Sequence, residues 1–214
     1  MNNAGDRMNY YPIGLNLKGK KVFIIGGGKI AERKISGLLN TGAEITVISP
    51  DITDALKKLM NMRKVTWLNK TFSPTDIVQA FLIIAATNIP EINEAVKKAC
   101  SPQQLLLMVD NPEDSDFILP SVMNQGKLTI TVSTSGASPI LTKKIKRNLS
   151  DQYGPEYKDY VDFLYHCRKW ILQEIHDSSL KQKLLTKITE PSFLYSDNRN
   201  EEFKQMVDIL QSKK

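Results

Sequence analysis

The sequence predicts a parallel, doubly wound α/β domain followed by a small helical part. Three observations carry this. Short apolar runs alternate with helix-patterned stretches as far as residue 110. A glycine-rich turn joins the first run to the first helix. Beyond residue 138 only helical spacing remains.

Each element has its own signal. Residues 21–25, KVFII, are a β-branched apolar run ending at glycines, as a buried strand does. Residues 29–41 read as a helix carrying Ile30, Ile35, Leu38 and Leu39, with Gly42 as its C-terminal glycine. Residues 44–49, EITVIS, form the second strand, closed by Pro50. A helix follows at about 51–62, with Ile52, Leu56 and Leu59 on one face. Further strands are expected at 65–68, 81–86 and 105–109, a helical turn at 76–79 and a helix at 90–100. The pattern then changes. Residues 117–123, a turn at Asn124-Gln125-Gly126 and the alternating 127–133 predict an antiparallel hairpin. Ser138 as N-cap and Pro139 at the first position open a helix with Ile140, Leu141, Ile145 and Leu149 at helical spacing. Residues 156–176, 178–188 and 200–211 are helical, with a polar break at 195–200. The expected domains are 1–113 (nucleotide-type α/β), 114–150 (a β/α connector) and 151–214 (helical).

Composition narrows the function. The chain of 214 residues is 41% hydrophobic and 24% charged, ordinary for a protein that buries a core. No apolar run approaches the roughly 18 residues of a membrane-spanning helix. The polar start MNNAGDRMNYYPIG lacks the apolar stretch of a secretory signal. Cys100 and Cys167 make neither a disulfide framework nor a CxxC pair, so a reducing cytoplasm is expected. The net charge is +6, with the basic excess confined to residues 1–150. Only Lys143, Lys144, Lys146 and Arg147 cluster tightly. No nucleic-acid reading motif accompanies them, and a polyanionic small molecule accounts for the bias.

The glycine-rich turn is the strongest site signal. Gly26-Gly27-Gly28-Lys29-Ile30-Ala31 fits G-x-G-x-x-A directly between a strand and a helix. The first glycine permits the tight turn, Gly28 admits a pyrophosphate, and Ala31 lets the helix approach the strand. After the second strand, Ser49-Pro50-Asp51 offers no base for a 2′-phosphate, which favours NAD over NADP. Asp51 reads either as the acid that meets the ribose or as a helix N-cap. Asp110 stands at the carboxyl end of an apolar strand, where open sheets bind ligands; a carboxylate beside apolar walls there suits acid or base work. The other reading of Asp110 is a turn residue in Asp-Asn-Pro. Thr134, Ser135, Gly136 and Ser138, followed by Lys143, combine hydroxyls, a helix start and cations, a set suited to carboxylates. His166 and Cys167 are adjacent in a helix and point apart, and His176 is distant, so no metal site is expected.

Several of these stretches together resemble a known family. PIGLNL before GKKVFIIGGGKIAERK, then AATN, VDNPEDSDFILPS and TVSTSGASPILTKKIK, resemble the precorrin-2 dehydrogenases. These are sirohydrochlorin-forming enzymes of siroheme biosynthesis, and the same module begins the multifunctional siroheme synthases. The resemblance covers about residues 10–150 in specific motifs. It implies an NAD-binding Rossmann domain, a middle dimerisation region, a helical C-terminal domain that helps cover the tetrapyrrole, and homodimers. It places the catalytic aspartate at Asp110. Cofactor contacts fall on Gly26, Gly27, Gly28, Lys29, Ile30, Ser49, Pro50 and Asp51, with Thr87 and Asn88 at the end of AATN. The substrate would be precorrin-2, whose carboxylates give the basic bias a reason. Where some members carry a serine and two glycines, this chain reads Thr134-Ser135-Gly136. Rival expectations are a bifunctional enzyme that also inserts Fe²⁺, a tetrapyrrole carrier, and an NAD-sensing regulator.

Overall fold

Strands that are apolar at consecutive positions must be covered on both faces. A computed structural model describes residues 10–212; the first nine residues, most of the polar start, lie outside the described residues. In it β1 (Lys21–Ile25), β2 (Glu44–Ile48), β3 (Thr66–Leu68), β4 (Leu82–Ala85) and β5 (Leu105–Met108) form one parallel sheet, in the order β3-β2-β1-β4-β5. Alternate residues enter opposite layers. Val22 and Ile24 of β1, with Leu82 and Ile84 of β4, join Ala31 and Ile35 of α1 (Lys29–Ser36) and Leu56 of α2 (Asp54–Asn61). Ile25, Ile83 and Ala85 join Ile77 and Val96, the latter from α3 (Pro90–Ala99). Truncating a fully buried residue such as Ile24 to alanine would cost about 2–5 kcal/mol. The strand order reverses at β1, so the crevice lies at the carboxyl ends of β1 and β4.

Two helix boundaries differ from the sequence pattern. The first helix stops at Ser36, with Gly37 as its C-cap, and not near residue 41. Glycine is the poorest non-proline helix former, and Leu38 and Leu39 still pack on the core from the turns that follow. Gly42 does adopt φ +75°, but there it turns the chain into β2. The second helix starts at Asp54, capped by Thr53 and not by Asp51. Residues 51–53 are held against the glycine turn, since the Thr53 N–H donates to the Gly27 carbonyl at 3.0 Å.

The chain divides into two compact units, with the boundary between Leu119 and Pro120. The second unit begins with an antiparallel hairpin, β6 (Ser121–Gln125) and β7 (Leu128–Val132). Its turn is Gly126-Lys127, two residues long and led by Gly126 at φ +59°; Asn124 and Gln125 belong to the strand. Ser138 caps α4 (Pro139–Gln152) by accepting the Leu141 N–H at 3.2 Å, as its sequence signal indicates. Four helices follow: α5 (Glu156–Glu174), α6 (Ser178–Lys187), α7 (Pro191–Tyr195) and α8 (Arg199–Ser212). Their core stacks Phe163 on Phe193 and sets Phe203 edge-on to Phe163. The short α7 lies between the expected helices, where the sequence pattern predicts none. Pro191 starts it, and Phe193 and Leu194 anchor it.

Candidate active site

The carboxyl ends of three neighbouring strands build the site. The Ala86 N–H donates to the Ile25 carbonyl at 2.8 Å, and the Val109 N–H to the Ala85 carbonyl at 3.1 Å. Gly26, Thr87 and Asp110 therefore leave the sheet side by side, from strands spaced about 4.8 Å apart.

The three glycines do different things. Gly26 has φ +116°, and a Cβ there would lie 2.4 Å from the Ala86 carbonyl oxygen. At Gly27 a Cβ would lie 2.1 Å from the Asp51 carbonyl oxygen. Both are glycine because the chain packs against itself. At Gly28 a Cβ would meet nothing within 4 Å. Gly28 is also the N-cap of α1, and no side chain caps that turn. Open space over bare backbone, at a helix start whose N–H groups lack a side-chain acceptor, fits a dinucleotide pyrophosphate. Ala31 is fully buried where the helix meets the sheet.

Beside this turn, Glu32 accepts a hydrogen bond from the Thr53 hydroxyl at 2.7 Å and pairs with Lys29 at 3.1 Å. The Thr53 hydroxyl, then Lys29, hold the Glu32 carboxyl below its ordinary value. Ile30 is exposed at the same helix start. The Ser49 carbonyl accepts the Trp67 indole N–H at 2.9 Å, which fixes the end of β2. Pro50 and Asp51 are exposed, and Asp51 Oδ1 accepts the Ile52 N–H at 2.8 Å.

Asp110 is exposed within its unit and is not walled in by apolar side chains as the sequence suggested. Its Oδ2 accepts the Asn93 Nδ2–H at 2.8 Å. Asn93, on α3, is 1% exposed and was not among the sequence candidates. It stands three residues before Val96 on the buried face of α3, and a polar residue on an apolar face was the signal available. One turn later Lys97 pairs with Asp114 at 2.7 Å, and Asn111 donates to Asp114 at 2.7 Å. The hydrogen bond to Asp114 raises the Lys97 pKa. Helix α3 thus grips the loop after β5 at Asp110 and Asp114. Thr87 is half-buried and its hydroxyl is engaged by Asn93 and the Ile89 carbonyl, while Asn88 is exposed.

The remaining candidates lie in the second unit. Thr134 Oγ1 accepts the Ser138 N–H at 3.0 Å and lies 3.1 Å from Thr142 Oγ1. Ser135 sits at φ +48°, followed by Gly136 at φ +84°. Lys143 is exposed on α4. Among the described residues, no three His, Cys, Asp or Glu side chains converge as a metal site.

Comparison with known proteins agrees with this geometry. A family model described as "Putative NAD(P)-binding" matches residues 13–121, more than half of the chain. "Sirohaem biosynthesis protein central" matches 125–152, and "SirC C-terminal domain" matches 157–203. The precorrin-2 dehydrogenase of Priestia megaterium is 35% identical over 198 residues, covering 92% of this chain and 98% of that one. The chain belongs to the precorrin-2 dehydrogenase family. Within the family, the Bacillus subtilis precorrin-2 dehydrogenase is 35% identical over 158 residues, covering 74% of this chain and 98% of that one. A solved structure titled "SirC, precorrin-2 dehydrogenase" superposes with a TM-score of 0.81 at 35% identity, covering 93% of this chain and 99% of that one. A siroheme synthase of Nitrosococcus oceani is 36% identical over 169 residues, but the match spans only 36% of that longer protein. The family match runs through both units of the chain, so the α/β unit and the helical unit belong to one enzyme architecture.

Proposed function

We propose that the protein oxidises precorrin-2 to sirohydrochlorin, passing a hydride to NAD⁺ and releasing a proton. The observation that carries the reading is the open, uncapped Gly28 turn set beside Asp110 at the carboxyl ends of β1, β4 and β5. Bound nicotinamide supplies the hydride acceptor. The chain's own residues have two tasks. The α1 N-terminus and the turn Gly26, Gly27 and Gly28, with Lys29 and Ile30, hold the dinucleotide, while Ser49, Pro50, Asp51, Thr87 and Asn88 border it. Asp110 takes the proton lost from the macrocycle at its carboxylate, or orients the macrocycle for hydride loss. Thr134, Ser135, Gly136, Ser138 and Lys143 receive substrate carboxylates.

NAD⁺ is preferred over NADP⁺ in this reading. No base follows β2, and the Glu32 carboxylate, held ionised beside Thr53, adds negative charge near the turn at Asp51. The protein is a homodimer in this reading, built on residues 117–133, because the β6–β7 hairpin is a two-stranded sheet with unpaired edges. A monomer in light scattering at micromolar concentration would count against that.

The deciding experiment is anaerobic incubation of the purified protein with precorrin-2 and NAD⁺, following NADH. Wild type should turn over. Asp110→Asn should lose about 10²–10⁴-fold in rate while binding NAD⁺ as before. Near-wild-type turnover by Asp110→Asn would remove Asp110 from the chemistry. Absence of NADH formation by wild type would favour a carrier, and a spectral change on adding Fe²⁺ to the product would reveal a chelatase step.

A further inference from the structure

We infer that Asn93 is a positioning residue that ties one oxygen of Asp110 to the loop after β4 and so leaves the other to meet the substrate. The inference rests on the reading of Asp110 above. Asn93 is one of two buried polar residues among those described, and its side-chain amide is used at every position. Its Oδ1 accepts the Thr87 N–H at 3.2 Å and the Thr87 hydroxyl at 2.8 Å. Its Nδ2 donates to the Thr87 carbonyl at 3.1 Å and to Asp110 Oδ2 at 2.8 Å. An amide has two donors and two acceptor lone pairs, so these four contacts leave no choice of flip or rotamer. Asp110 Oδ2 is thereby occupied. Asp110 Oδ1 accepts no hydrogen bond from the described residues, and it is the oxygen left to face a ligand.

Thr87 follows β4, which neighbours the glycine-turn strand, whereas Asp110 follows β5. Backbone pairing joins these strands only as far as the Val109 N–H. Past that point the loop ends are joined by Asn93. A carboxylate on an exposed strand end would otherwise sample several rotamers, and fixing one is worth much in a reaction that depends on alignment. A buried amide with all its bonds made is a rigid support for this purpose.

The test is a double-mutant cycle. Asn93→Asp keeps the shape and the acceptor contacts with Thr87 but replaces the donor shared by Asp110 and the Thr87 carbonyl with a carboxylate oxygen that repels both. Alone, it should lower kcat about 10- to 100-fold, the effect of losing a hydrogen bond to a charged group. KM for precorrin-2 and Kd for NAD⁺ should hardly move. In the Asp110→Asn background, Asn93→Asp should cause no further loss, because the group it serves is already gone. Its thermal cost should also be smaller there than in the wild-type background, since Asn at 110 can donate to Asp at 93. A purely structural role would instead multiply the two losses and weaken NAD⁺ binding through Thr87, which would overturn the inference. Wild-type kcat in Asn93→Asp, with Asp110→Asn inactive, would overturn this inference alone. Full activity in Asp110→Asn would overturn both readings. Should Asn93→Asp fail to fold, Asn93→Ser, which cannot span to Asp110, runs through the same cycle with the same kinetic outcomes.

Discussion

Asp116 accepts the Leu106 N–H on its Oδ2 at 2.8 Å while its own N–H donates to the Leu106 carbonyl at 2.9 Å. Two residues along the strand, the Ser115 hydroxyl accepts the Met108 N–H at 2.9 Å. Strand β5 is one of the two edge strands of the sheet, and these contacts satisfy donors that another strand would take. The stretch after Asp110 is therefore more than a turn. It seals a buried edge, and it does so with a serine and an aspartate that the sequence pattern shows only as polar loop residues.

Asp116→Ala should be destabilising without being inactivating. It leaves the N–H of a buried residue without its acceptor, at a cost of about 1–3 kcal/mol. Urea denaturation should show the loss, and NAD⁺ affinity should be unchanged. An unaltered midpoint would mean that water replaces the carboxylate freely.

The two later glycines of the turn should respond in opposite ways to alanine. Gly28→Ala faces open space, so folding should be intact while NAD⁺ affinity falls, the methyl standing where the pyrophosphate approaches. Gly27→Ala meets the Asp51 carbonyl and should lower the melting temperature before any ligand is added. Equal NAD⁺ affinity in Gly28→Ala and wild type would remove the phosphate from this turn.

Cofactor choice should follow the charge beside β2. NADP⁺ should support slower turnover than NAD⁺ at subsaturating concentration. Asp51→Arg should narrow the gap by raising NADP⁺ affinity. Equal kcat/KM for the two cofactors in wild type would contradict the assignment.

Alkaline pH should expose the burial of Cys167. Burial pushes its thiol up to about 11, above the ordinary value near 9. The unfolded thiol ionises first as pH rises, so the contribution is fully present below about 8.5 and is lost progressively toward pH 11. The stability difference between wild type and Cys167→Ala should therefore be constant from neutral pH to about 8 and shrink above it. A difference that grows with pH would contradict the sign.

The strands were legible because a parallel sheet covered on both faces leaves unbroken apolar runs, and KVFII and LIIA mark such positions. The glycine turn and the Ser138-Pro139 cap were legible because their conformations depend on adjacent residues. Features that depend on distant partners were not. The α2 cap fell to Thr53 because Gly27 holds residues 51–53. Asn93 gained its place from Thr87 and Asp110, which reach it from two different strands. The expected apolar walls around Asp110 failed for the same reason: a strand's own sequence does not tell what lies beyond its end.

The central position of β1 also shapes how the chain acquires its structure. Val22 first finds Ile45 on one side, but its other neighbour, Leu82, lies far along the chain. During synthesis the segment KVFII emerges among the first and is completed among the last of the sheet. Its second side stays unpaired until β4 arrives, whereas helices α5 to α8 close their core within the shorter span from Tyr160 to Val207. Among the strands of the sheet, the one that carries the glycine turn is thus the one that waits longest for its second neighbour.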